Sequence, residues 1–576
     1  MPATKYGPAK QLPFELREHC GIYLEEQLYS QAFNFLNSLL VSGTSSSTPE
    51  HSVPVHVPTT QQLSLAATLV VHPSRTTRAA PAEGNRAANE ALRLLRQVNT
   101  IVGPLNANFA AAFAFPSLSH GRLRTWRNST NISDTLPSYP NDGDINTEIA
   151  NTGSVWHRAE DFWHVVGWAL NCSVAWKLRW QRWELWLDFM LTVLNDDFDE
   201  RLEQAKQAEN GHDAQDLLKE SLILQNLLSC NNRTARRRVM RAIFADGDVR
   251  SLNEFKEVFK NETKERKPTE TNTVDRKAKK LNIDEGEFAD YIDDDDDDED
   301  DEVAEGGNAQ PSPDRPTTTA DAGNRGSTTT IGSNSDDLEW SGNELINALD
   351  RLGGMASISH RQRLLALLSK VAETTPACFI TLEDLLDLFT EFIRPLPTPL
   401  LSMFVSPPSH YLSNHVQASL NRTLLRPLLG LSDSGVDTTQ LDQAHLENDY
   451  LPRKANSTTV SDNAKVSLLV EGLLRSLLNR GDLHLTMTLQ RATEWGVEAR
   501  RTCMDWDGRK RTTERRQEEE WSEMVLEMSA ARITAVLDAL NDGAMTPRGR
   551  ESSSISEMTE FESAPSSAQE QRALIK

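Results

Sequence analysis

Cysteine is scarce and scattered: Cys20, Cys172, Cys230, Cys378 and Cys503 are the only five, and no two of them form a CxxC pair. That spacing argues against a disulfide framework or a zinc knuckle and fits a reducing compartment. Long apolar runs are also missing. No stretch of about 18 apolar residues is present to cross a bilayer, and MPATKYGPAKQLPFELREHC lacks the apolar h-region of a secretory signal. Asn-x-Ser/Thr triplets such as Asn128 to Thr130 are then chance matches. Strand alternation and Asn-Gly hairpins are absent almost throughout. So are the P-loop, the Gly-rich dinucleotide fingerprint, the GxSxG elbow and the kinase signature set. His410 and His415 in HYLSNH have no Cys or Glu at ligand spacing. The expectation is a chain without enzymatic activity, cofactor or metal.

Hydrophobic residues make up 38% of the 576 residues, low for a wholly globular chain, so part of it is expected to be linker or tail. The net charge of −24 is concentrated: fourteen acidic residues lie between Asp284 and Glu302, where no Lys or Arg occurs.

What is present in quantity is helical periodicity. Apolar residues recur at steps of three and four in FELREHCGIYLEEQLYSQAFNFLNSLL, QQLSLAATLVVHP and AANEALRLLRQVNTIVG, with Pro104 placed to open a further helix. The same pattern runs through Val155 to about Ala208, through short stretches up to residue 260, and again from DDLEWSGNELINALDRL onward. There Thr381 and Asp384 make a capping-box start, and helices are expected at 413–430, 464–478, 482–498 and 515–541. The pattern predicts an all-α protein of two helical lobes, with stacked helix pairs as in an α-solenoid, joined by a long disordered acidic linker. The lobes span 1–260 and 338–541. Loops are expected at about 42–59 and 117–154, the linker at 261–337 and a disordered tail at 542–576.

AWKLRWQRWELWLDFM, residues 175–190, carries four tryptophans among cations. Such a mixture suits either a base-stacking surface or a crowded core. A helical wheel places Trp176, Trp180, Trp183, Leu187 and Leu194 within an arc of about 60°, with Leu178, Leu185, Trp186, Phe189 and Val193 on a second flank. Only Lys177, Gln181, Glu184 and Asp188 form a polar strip, so the core reading is preferred, with Arg179 and Arg182 paired inside the protein. On the preceding helix, read as continuous from Val155 to Ser173, His157, Asp161, His164 and Trp168 share a side. This face is read as a covered histidine pair in preference to a metal site.

Two basic features point outward. On RTARRRVMRAIF, Arg233, Arg237 and Arg241 align as a ridge for nucleic acid or an acidic partner, or as a solvated face pairing with nearby carboxylates. Arg266 and Lys267, then Arg276, Lys277, Lys279 and Lys280, resemble a bipartite nuclear import signal with a short spacer. DDDDDDEDDE, Asp293 to Glu302, suits basic clients through screened multivalent attraction. Ser312 and Thr546 each precede a proline and match proline-directed phosphorylation, while Ser333, Ser554 and Thr559 match acidophilic sites.

Together these features lead to the expectation of a non-enzymatic helical scaffold or adaptor subunit of a nuclear multiprotein complex concerned with chromatin, DNA maintenance or RNA. The cytoplasm is the alternative compartment. The alternatives in function are an acidic-tract escort for histones or ribosomal proteins, and a nucleic-acid-binding protein that uses the arginine ridge. Partners are expected to be proteins, with no membrane.

Overall fold

A computed structural model describes residues 6–45, 53–79, 85–115, 145–207, 211–228, 230, 232–264, 349–406, 411–431, 441–502 and 513–545. The protein is all-α. The first block holds α1 (Phe14–Glu25), α2 (Tyr29–Ser45), α3 (Thr60–Val71), α4 (Arg86–Ile101), α5 (Phe162–Ala175) and the long α6 (Lys177–Gln207). It ends with α7 (Gly211–Lys219), α8 (Leu222–Leu227), α9 (Arg233–Ile243) and α10 (Val249–Glu254). The second block holds α11 (Met355–Thr374), α12 (Leu382–Ile393), α13 (Thr398–Val405) and α14 (Asn414–Leu429). It closes with α15 (Val460–Arg480), α16 (Met487–Arg501) and α17 (Thr513–Met545).

Local chemistry explains the boundaries. Thr381, Ser413, Thr459 and Thr486 each accept a hydrogen bond from the backbone N–H three residues on, starting α12, α14, α15 and α16. Gly430 and Gly481 end α14 and α15 in the left-handed region at φ 65° and 75°. Thr59 and Gln62 form a reciprocal capping box at α3. Where Pro104 was expected to open a helix, turns intervene and only Phe109–Ala112 is helical. Within the expected loop 42–59, Val55–Val57 forms a short parallel strand (β2) against β1, Ala9–Gln11.

Two helices organise the packing. Around α6 lie α3, α4, α5, α7, α8 and α11; around α15 lie α13, α14, α16 and α17. The two blocks belong to one compact unit that excludes 264–339, and one apolar cluster runs from Leu12 to Leu537.

The contact between blocks is polar as well as apolar. Arg361 of α11 is fully buried. Its guanidinium donates to the carbonyl oxygens of Ile243, of Ala245 at 2.8 Å and of Leu352 at 3.2 Å, so it closes the C-terminus of α9 from the other block. Those carbonyls lie where a helix leaves acceptors unpaired and where its dipole favours a cation. Lys465 does the same for α12, donating to Arg394 O at 3.1 Å. Around α6, Asp188 accepts from Arg363 of α11 at 2.7 Å and from Arg96 of α4 at 2.9 Å, and Lys370 pairs with Asp199.

Candidate functional site

The tryptophan helix is core. Trp180, Trp183 and Trp186 are buried, and Trp183 stacks on Phe259 with centroids 6.2 Å apart. Trp176 is partly buried and caps the end of α5 instead of joining the stripe. Leu178, on the expected apolar flank, is 66% exposed in the first turn of α6. Arg179 and Arg182 point inward, as the wheel suggested, with different partners. Arg182 donates to Val70 O at 3.1 Å and to Asn89 Oδ1 at 2.9 Å, with no carboxylate, and burial pulls it down to about 10. Arg179 pairs with the buried Glu262, and its guanidinium lies over the Trp183 ring at 5.7 Å.

Glu262 is the sharpest polar feature of the first block. Its carboxylate accepts from the N–H groups of Val258 and Phe259 at 3.0 and 3.1 Å, from the Trp183 indole at 3.2 Å and from Arg179. Burial pushes its pKa up while Arg179 and these donors oppose the shift. Two residues from Arg179, Lys177 faces Asp350 at 3.9 Å, an exposed and weak ion pair. Just beyond, Gly353, at φ 82°, sits so close to Ser173 that a Cβ would fall 2.0 Å from its Oγ, and Ser357 donates to that same Oγ at 3.0 Å. The described residues on either side of 265–348 are therefore held at one place, the junction of α5 with the first turn of α6.

The arginine ridge on α9 is largely engaged. Arg237 pairs with Glu391 of α12 at 2.8 Å, and Arg241 forms a bidentate pair with Glu254. Off the ridge, Arg236 donates to Phe379 O at 2.8 Å, tying α9 to the second block. Arg238 pairs with Asp161 at 2.5 Å and Glu160 at 3.1 Å, over the Phe255 ring. Arg233 is exposed.

The histidine face expected on one helix is divided. Residues 155–158 form a separate turn, and Asp161 is the N-cap of α5, accepting from His164 N at 2.7 Å. A wheel drawn through 155–173 assumed a helix that Ala159 to Asp161 interrupt. His157 contacts Ser154 Oγ at 3.0 Å, whereas His164 Nδ1 accepts from Glu160 N and Nε2 reaches Lys256 O at 3.0 Å. Among the described residues, no group of three or more His, Cys, Asp or Glu is placed to hold a metal ion. Among them, too, no helix is long and apolar enough to cross a membrane.

Arg266, Lys267, Arg276, Lys277, Lys279, Lys280, Ser312, Thr546 and the run Asp293 to Glu302 lie outside the described residues. Two features had no clear sequence signal: the Arg179–Glu262 pair, whose members are distant in the chain, and the burial of Arg361. No known protein family matches the chain, and no curated protein is significantly similar to it.

Proposed function

We propose that this chain is a non-enzymatic helical scaffold, a subunit of a nuclear multiprotein assembly. The observation that carries this reading is the common base of the insertion. Glu262 on one side and Asp350 and Gly353 on the other are tied to the α5–α6 junction of a body whose two helical blocks share one core. Such a body keeps the anchor points of its acidic segment fixed while its helical surfaces remain available to partners. The basic residues from Arg266 to Lys280 support nuclear import, and Asp293 to Glu302 supports contact with basic clients.

Affinity purification of the intact chain, coupled to mass spectrometry, tests the proposal. Stable partners that persist after deletion of Asp293 to Glu302 are the expected result, with only basic clients lost. Loss of every partner on that deletion would instead identify an acidic-tract escort, and recovery of no stable partner from the intact chain would sink both.

A further inference from the structure

Beside α16 the second block opens a groove of about 360 Å³, walled by Pro452, Arg453 and Lys454 on one side and by Trp495, Ala499 and Thr502 on the other. Trp495, Ala499 and Thr502 lie at steps of four and three, so they share one helix face. The opposite face of α16, with Leu489, Thr493, Gly496 and Arg500, is the buried one. Trp495 is 73% exposed, the most open large apolar side chain among the described residues. Arg453 and Lys454 are also exposed.

Beneath the 452–454 wall lies a further positive charge. Arg500 is fully buried, and its Nη1 donates to Leu451 O and Arg453 O at 3.0 and 2.9 Å. Its Nε and Nη2 have no hydrogen-bond partner among the described residues, and burial pulls the group down to about 10. Arg500 thus adds a buried positive charge, with no carboxylate beside it, against the backbone of the segment that carries Arg453.

We propose that this groove binds single-stranded nucleic acid, with one base stacked on the Trp495 indole and its flanking phosphates on Arg453 and Lys454. An open indole face beside two cations is the arrangement that stacks bases without reading their sequence. An acidic peptide would use the cations and leave the indole without a role. A duplex keeps its bases stacked on one another and cannot present one to the ring. The inference is independent of the scaffold reading, since the groove lies in the second block and involves no part of the insertion.

The test is fluorescence anisotropy of a short fluorescein-labelled oligothymidylate at low salt with the full chain. A form in which Asp293 to Glu302 is replaced by Ser and Gly is measured in parallel, to remove the densest negative charge of the sequence. Trp495→Ala should weaken binding by roughly tenfold or more while leaving the melting temperature unchanged. Arg453→Glu with Lys454→Glu should weaken it further and lower the slope of log K against log salt by about 1.4, as expected for two phosphate contacts on a single strand. A duplex of the same length should bind more weakly. The site is overturned if neither form binds, if Trp495→Ala binds as well as the parent, or if its melting temperature falls, which would mean the indole packs against the chain itself. Displacement by polyglutamate at equal charge would instead assign the groove to acidic peptides.

Discussion

Replacing Arg361 tests how the two helical blocks are joined. Two opposing effects act on this side chain. Burial pulls the guanidinium from 12.5 down to about 9, which corresponds to roughly 5 kcal/mol against keeping it charged inside. Against that, it donates to three carbonyls, and each charge-assisted hydrogen bond is worth about 1.5–3 kcal/mol. Its position at the C-terminus of α9 adds up to about 2 kcal/mol. The donors win because removing them strips these buried acceptors of the bonds that Arg361 supplies. Arg361→Met keeps most of the volume and should lower stability by roughly 3–5 kcal/mol, as when one partner of a buried charged contact is removed. Arg361→Lys should cost about half as much, since an ammonium cannot span the three acceptors as the planar fork does. Urea unfolding measures the midpoint and slope, and limited proteolysis should show new cleavage near 243–247 and 352–354. If Arg361→Met is as stable as the parent or more so, desolvation outweighs the hydrogen bonds and the reasoning fails.

Other substitutions probe the same body. Trp183→Ala should destabilise by about 3–5 kcal/mol, since the ring is fully buried against Phe259 and Trp186; a near-parental melting temperature would return this helix to the functional surfaces. Glu262→Gln leaves Arg179 buried without a counter-charge and should cost roughly 3–5 kcal/mol in thermal or urea unfolding; a neutral outcome would remove Glu262 as an anchor of the insertion. His360 is 6% exposed and held near 4, below the usual 6.5, first by burial and then by Arg363 and Arg361, with Asp188 opposing. A depressed histidine contributes stability that is present above pH 6.5 and lost as pH falls through about 4, at most about 3 kcal/mol. His72 shifts in the same direction. His360→Leu should therefore flatten the fall of the urea midpoint over that pH interval, and an unchanged pH profile would count against the assignment.

Much of the helical layout was legible because amphipathic periods and cap residues agree. Thr381 marks a start that its side-chain hydrogen bond reproduces, 413–430 nearly coincides with α14, and 464–478, 482–498 and 515–541 differ from the observed helices mainly at their ends. The inward turn of Arg179 and Arg182 followed from the wheel. What the wheel could not supply was the interruption at Ala159 to Asp161, where an aspartate read as a face residue is a cap. Nor could local periodicity show that Arg361 is buried, because its acceptors belong to residues more than a hundred positions earlier, apart from Leu352. Trp495 was within reach: a wheel through Met487 to Arg501 sets it opposite Leu489, Thr493 and Gly496.

The interior of this protein depends on buried cations that answer to carbonyl oxygens more than to carboxylates. Arg361, Lys465 and Arg500 each satisfy the acceptors of a chain turn or helix end contributed by another element. Carbonyl acceptors at a helix end are fixed by the backbone, so a cation that reaches them sets the position of one helix on another without needing a matching acidic residue. Across the block boundary this arrangement joins α9 to α11, next to the place where Gly353 meets Ser173. The acidic insertion thus closes on a base that the body itself holds in place. Closing a longer insertion costs little, about 0.6 kcal/mol for each doubling of its length. The body therefore constrains where the chain leaves and re-enters it far more strongly than how many residues lie between.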